Sequence, residues 1–120
     1  MESTLVHHEC PFCQIADGRL PATRLFESET VLAFEDIHPV APVHVLVIPR
    51  AHISDPSALD ETTAPLIGEL FLVARLVAER KGIAGSGYRL VMNTGRDGGQ
   101  SVFHMHLHVL GGRRMSWPPG

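Results

Sequence analysis

Near its end the chain reads Phe103-His104-Met105-His106-Leu107-His108-Val109-Leu110, three imidazoles at every second residue with apolar side chains between them. On an extended strand, successive side chains point to opposite faces. His104, His106 and His108 would then share one face, and Phe103, Met105, Leu107 and Val109 the other. A helix would turn successive imidazoles by about 200° and split both sets. The spacing therefore predicts a strand over 103–110, apolar toward a core and presenting imidazoles about 7 Å apart. Two chemistries suit such a row. Imidazoles bind zinc, copper or nickel. Alternatively, one imidazole attacks a phosphorus centre while its neighbours orient it and handle protons. A neutral imidazole is available near pH 7 because its unperturbed pKa is about 6.5.

Attack at phosphorus builds charge on the non-bridging oxygens, which N–H donors stabilise. Thr94-Gly95-Arg96-Asp97-Gly98-Gly99-Gln100-Ser101 runs straight into the histidine row, and its glycines let main-chain N–H groups approach an anion. Asn93 precedes it and Ser101 closes it. Neither GxxxxGK[ST] nor GxGxxG occurs in the chain. The loop also reads as an ordinary hairpin connection, but its place beside the histidines favours nucleotidyl transfer over a bare metal site.

Cys10-Pro11-Phe12-Cys13 carries a second chemistry. A CxxC is either redox-active or half of a tetrahedral zinc site, and no strand precedes Cys10 as the redox version would require. Zinc would need two more ligands, for which His52 and His104 are the candidates; a pair of small buried thiols is the other reading. Asp36, in the proline-punctuated loop Asp36-Ile37-His38-Pro39-Val40-Ala41-Pro42, reads first as a turn former bonding its own backbone and second as a binding carboxylate. His44 opens the apolar run Val43-His44-Val45-Leu46-Val47-Ile48-Pro49 and alone would pass for a satisfied core group.

These residues must be held by a sheet and a helix. Strands are predicted over 23–27, 31–35, 43–49 and 88–93, and one long helix over 64–81. Thr62 or Thr63 would cap that helix, Pro65 suits its first turn and Gly82 its end, with Leu66, Leu70, Val73 and Val77 as the core stripe. A length of 120 residues fits one domain, 1–120. The net charge of −3 comes without a Lys/Arg cluster, against nucleic acid or a membrane patch as partners. No export signal or membrane span is legible, so a reducing cytoplasm is the expected location.

The histidine row, with Ala33-Phe34-Glu35-Asp36-Ile37, Ala41-Pro42-Val43-His44, Ile48-Pro49-Arg50-Ala51-His52-Ile53, Asn93-Thr94-Gly95 and Gly98-Gly99-Gln100-Ser101-Val102, resembles the histidine triad (HIT) family along nearly the whole chain. The ending Gly111-Gly112-Arg113-Arg114-Met115-Ser116-Trp117-Pro118-Pro119-Gly120 resembles the Hint branch rather than the Fhit branch. The resemblance implies an α+β fold: a five-stranded antiparallel sheet, one long helix, a short N-terminal helix and a homodimer with a continuous sheet. Residues 1–9 would be a flexible N-terminus, and 111–120 a tail near the partner's site. It implies hydrolysis of purine nucleoside 5′-phosphoramidates of the AMP-amine or AMP-lysine type. Cleavage of dinucleoside polyphosphates, or a non-catalytic nucleotide-binding or scaffold role, are the alternatives.

By motif position, His106 would be the nucleophile, supported by His108 and His44. Asn93, Gly99 and Ser101 would bind the α-phosphate, with Ser101 near the leaving group. Asp36 would take the ribose hydroxyls, and Phe12, Ile15, Leu20, Phe34 and Ile37 would wall the base. Trp117 would lie near the partner subunit's site. Members with a CxxC resemble a structural zinc site of Cys10, Cys13, His52 and His104, with no metal required for the chemistry. Arg114 and Ser116 depart from other Hint-like proteins, which bears on leaving-group preference. His7, His8 and His38 receive only a surface role.

Overall fold

The computed structural model describes residues 9–120; His7, His8 and all but the last residue of the expected flexible N-terminus lie outside the described residues. Five strands, β1 (Arg24–Glu27), β2 (Val31–Glu35), β3 (Val43–Pro49), β4 (Arg89–Val91) and β5 (Leu107–Gly111), form one antiparallel sheet in the order β1-β2-β3-β5-β4. A short helix α1 (Pro11–Ala16) precedes it, and a long helix α2 (Pro65–Arg80) joins β3 to β4 by way of a 3-10 turn at Pro56–Ala58. The fold is α+β. No helix among the described residues is long and apolar enough to cross a membrane.

Both faces of the sheet's middle are covered, which is why β2 and β3 are apolar at nearly every position rather than alternating. Val31, Ala33, Val45, Val47, Leu107 and Val109 pack against Leu70, Val73, Ala74 and Val77 of α2. Leu32, Phe34, Leu46 and Ile48 face the other way and meet Cys10 and Phe12 of the N-terminal segment. In the β3–β5 register Leu46 opposes His108 and His44 opposes Leu110, so both histidines rise from this second face.

The long helix is one residue shorter at each end than predicted. Thr62 and Thr63 do not cap it. Ala64 occupies the cap position without a side-chain bond, and the Asp60 carboxylate instead accepts from the N–H groups of Thr62 (2.9 Å) and Thr63 (3.0 Å) in the turn before. β4 is likewise shorter than the predicted 88–93.

The larger correction concerns the histidine row. Only 107–111 is strand, so His104 and His106 precede it. The ladder stops at Val47↔Leu107 because the groups beyond are otherwise engaged. His104 Nε2 donates to the Pro49 carbonyl (2.8 Å), and the Met105 N–H donates to the Ile53 carbonyl (2.6 Å). Alternation survives without the strand. Met105, Leu107 and Val109 enter the α2-side core, while Phe103 leaves the pattern and is exposed.

Candidate active site and metal centre

Main-chain groups assign the hydrogens of His106 and His44, and His44 in turn assigns that of His108. A carbonyl can only accept, so His106 Nδ1, 2.7 Å from the His104 carbonyl, carries the hydrogen and leaves the Nε2 lone pair unprotonated. Burial holds the His106 pKa below its ordinary 6.5, opposed by that carbonyl and by the Asp36 charge. Phe12 stands edge-on to the ring with centroids 5.1 Å apart, and His108 lies on another side at 4.9 Å.

The second chain starts at Val40, whose N–H donates to His44 Nδ1 (3.1 Å). The hydrogen of neutral His44 is therefore on Nε2, directed at His108 Nδ1 (2.9 Å) and Asp36 Oδ2 (3.3 Å). His108, accepting at Nδ1, carries its own hydrogen on Nε2. That atom is the buried side-chain nitrogen or oxygen without a hydrogen-bond partner among the described residues. Burial first, then repulsion from His106 and His44, push the His108 pKa down to about 4, with Asp36 opposing. His44 is also lowered by burial, again against Asp36. Donor atoms of Asp36, His44 and His108 lie within 4.8 Å of one another, as a metal site would require. The Val40 N–H argues against that use, since it keeps the hydrogen on the nitrogen a metal would need.

These groups open on a cavity of about 720 Å³. Phe12, Ile15, Leu20, Phe34 and Ile37 line its apolar side, and Asp36, His44, Ser101, His106 and His108 its polar side. Asp36 does what the pattern suggested first, Oδ1 accepting from the His38 N–H (2.8 Å), and also faces the cavity. Asn93, Gly99 and Trp117 are not among the lining residues. Gly99 has a φ of +83°, and its N–H donates to the Arg96 carbonyl (3.0 Å) instead of pointing at a ligand. Trp117 is 82% exposed.

Sequence reasoning passed over Gln100. Its buried amide donates to the carbonyls of Ser54 (2.7 Å) and Val102 (3.0 Å), and its oxygen accepts from the Gly95 N–H (2.8 Å). The one signal was a lone amide inside a glycine loop. Val40 gave none, because its contribution is a main-chain N–H.

Cys10, Cys13, His52 and His104 form a separate cluster with one donor atom each within 4.8 Å of the others. The distances are Cys10 Sγ–His104 Nδ1 3.4 Å, Cys13 Sγ–His104 Nδ1 3.5 Å and Cys13 Sγ–His52 Nδ1 3.3 Å. A tetrahedral zinc with ordinary bond lengths has sulfur–nitrogen edges of about 3.5 Å, so the donor set fits that ion. The bond from His104 Nε2–H to Pro49 turns Nδ1 toward the thiols, the outer-shell arrangement of a metal-binding imidazole. Burial, then the Cys10 thiol, push the Cys13 pKa up to about 12, so a cation is what would favour the thiolate.

A HIT domain family model matches residues 17–115. An uncharacterized HIT-like protein of Synechocystis sp. is 48% identical over 109 residues, 91% of this chain and 95% of that protein. Among solved structures, a HIT family hydrolase from Legionella pneumophila Philadelphia 1 superposes with a TM-score of 0.90 at 46% identity, covering 93% of this chain and all of that one. A HIT family hydrolase from Clostridium thermocellum gives 0.88 at 46% identity over 90% of this chain and 94% of its own. The two cysteines lie ahead of the matched region, whereas His52 and His104 lie inside it.

Proposed function

The chain belongs to the HIT family, and on that premise we propose that it is a Hint-like hydrolase of purine nucleoside 5′-phosphoramidates, releasing a nucleoside monophosphate and an amine. One observation carries the reading: at the rim of an apolar cavity, His106 offers an unprotonated Nε2 beside the unengaged Nε2–H of His108. A lone pair for phosphorus thus stands next to a donor for a phosphoryl oxygen. The Nε2 lone pair attacks phosphorus and the P–N bond breaks. The departing nitrogen takes a proton from solvent by way of the Ser101 hydroxyl. The intermediate is a nucleotidyl-imidazolium on His106, which still holds its Nδ1 hydrogen against the His104 carbonyl. Water then attacks phosphorus, gives up its proton to solvent, and the P–Nε2 bond breaks to restore neutral His106.

The apolar wall of Phe12, Ile15, Leu20, Phe34 and Ile37 suits a purine, and Asp36 suits the ribose hydroxyls. Asn93, Gly99 and Ser101 take the phosphate side, Gly99 by shaping the loop rather than through its occupied N–H. A structural zinc on Cys10, Cys13, His52 and His104 would cross-link the N-terminal segment to the sheet and take no part in bond breaking. The open edge of β4 suits a homodimer with a continuous sheet, with the 111–120 tail and Trp117 near the partner's site. A cytoplasmic setting goes with free thiols as zinc ligands.

The test is turnover of a fluorogenic AMP-amine conjugate by wild type and by His106→Ala. The variant should be slower by at least about 10³-fold, and comparable rates would remove His106 from its role. Faster turnover of a diadenosine polyphosphate at equal concentration would reassign the substrate. AMP binding without turnover of either would leave a nucleotide-binding module.

A further inference from the structure

We propose that Asp36 is a positioning residue for the His44–His108 pair, a role additional to any contact with ribose and resting on the hydrolase reading above. The geometry is tied down on every side. Asp36 follows β2, its own N–H donates to the His44 carbonyl (3.0 Å), and its Oδ1 holds the His38 N–H (2.8 Å). Those two bonds leave Oδ2 facing His44 Nε2 at 3.3 Å, with the Asp36 side chain only 18% exposed and that of His44 4%.

The Nε2 hydrogen of His44 thus has two acceptors, a neutral imidazole nitrogen and a fixed carboxylate. The carboxylate resists any flip of the His44 tautomer, and His44 in turn keeps the hydrogen of His108 on the nitrogen facing the cavity. If His44 lost that proton to the other side, His108 would present a lone pair to the phosphoryl oxygen and repel it. Asp36 also supplies negative charge to the cavity in which a cationic nucleotidyl-imidazolium must form. Burial disfavours that cation, and among the groups lining the cavity Asp36 and Glu35 are the carboxylates. Glu35 is committed to Lys81 Nζ at 2.7 Å, which leaves Asp36 to oppose the burial.

Asp36→Asn is the informative variant, because its amide oxygen still accepts from His38 while its NH2 meets the His44 Nε2–H, donor against donor. Turnover is measured with an AMP-amine conjugate and with its 2′,3′-dideoxy counterpart, which has no hydroxyls for Asp36 to hold. On the dideoxy substrate the variant should lose at least about tenfold in kcat with KM unchanged; on the ribose substrate KM should rise as well. Equal kcat for wild type and Asp36→Asn on the dideoxy substrate would confine Asp36 to ribose binding and overturn the proposal. Side-chain 15N NMR of the free protein is the second arm and needs no turnover. Wild type, held by both the Val40 N–H and the Asp36 carboxylate, should show His44 protonated at Nε2. The variant, which keeps only the Val40 bond, should show a mixture with the Nδ1 tautomer, and identical spectra would also overturn the proposal. Wild type inactive on both substrates, with the tautomer change intact, would instead count against the hydrolase reading.

Discussion

A histidine serves as nucleophile or donor according to which nitrogen bears its hydrogen, and here a carbonyl at His104 and an N–H at Val40 decide it. Side-chain spacing exposed the row but not these assignments, because main-chain groups have no signature in residue type. Asp36 was ambiguous for a related reason: turn forming and binding ask for the same short carboxylate, and it is engaged in the turn while facing the cavity. Burial of neutral histidines also links stability to acid. Above pH 6.5 the His108 ring is neutral whether the chain is folded or not. As pH falls from 6.5 toward about 4 the unfolded chain takes up a proton that the folded one refuses, so stability declines across that window and levels off below it. His44 contributes with the same sign. Thermal melts should show the melting temperature falling over this range, and His108→Asn, which cannot be protonated there, should flatten the decline.

At the scale of elements, the strands and the long helix were legible because each depends on a local period, 2 or 3.6, that the side chains display. Their ends were not, because ends are set by partners distant in sequence: Pro49 and Ile53 for the histidine row, Asp60 for the helix start. The glycine loop shows the same limit. Its glycines were read as access for an anion, yet the N–H groups of Gly95, Gly99 and Gln100 are spent inside the loop. Gly98 matters for closeness of a different kind. A Cβ there would lie 2.4 Å from the Thr94 oxygen and 2.9 Å from its nitrogen, both backbone atoms unable to yield without moving the loop. Gly98→Ala should therefore raise KM for the AMP-amine conjugate by several-fold, on the order of 1–2 kcal/mol. Steady-state kinetics beside a thermal melt would separate this from general unfolding, and an unchanged KM would detach the loop from the phosphate.

For the molecule as a whole, the cysteine–histidine cluster and the histidine-lined cavity meet in one short turn, since Phe12 sits between the two cysteines and against His106. His104 joins them a second time, its ring facing the thiols and its carbonyl holding the His106 ring. The CxxC spacing offered half of a metal site with His52 and His104 as candidates, and the resemblance implied the same four; their convergence needed the fold. Protein purified without added metal should carry about one zinc per chain by elemental analysis. Cys10→Ser should lower the melting temperature more than it lowers kcat; a metal-free wild type of equal stability would refute the site. Sedimentation should read twice the mass of one chain if β4 pairs across the proposed dimer. The matched domain begins at residue 17, past Phe12 and both thiols. A protein engineer who trimmed the gene to that boundary would strip the roof from Leu32, Leu46 and Ile48. The shortened product should precipitate or bind hydrophobic dyes, since the segment ahead of that boundary is one wall of the building.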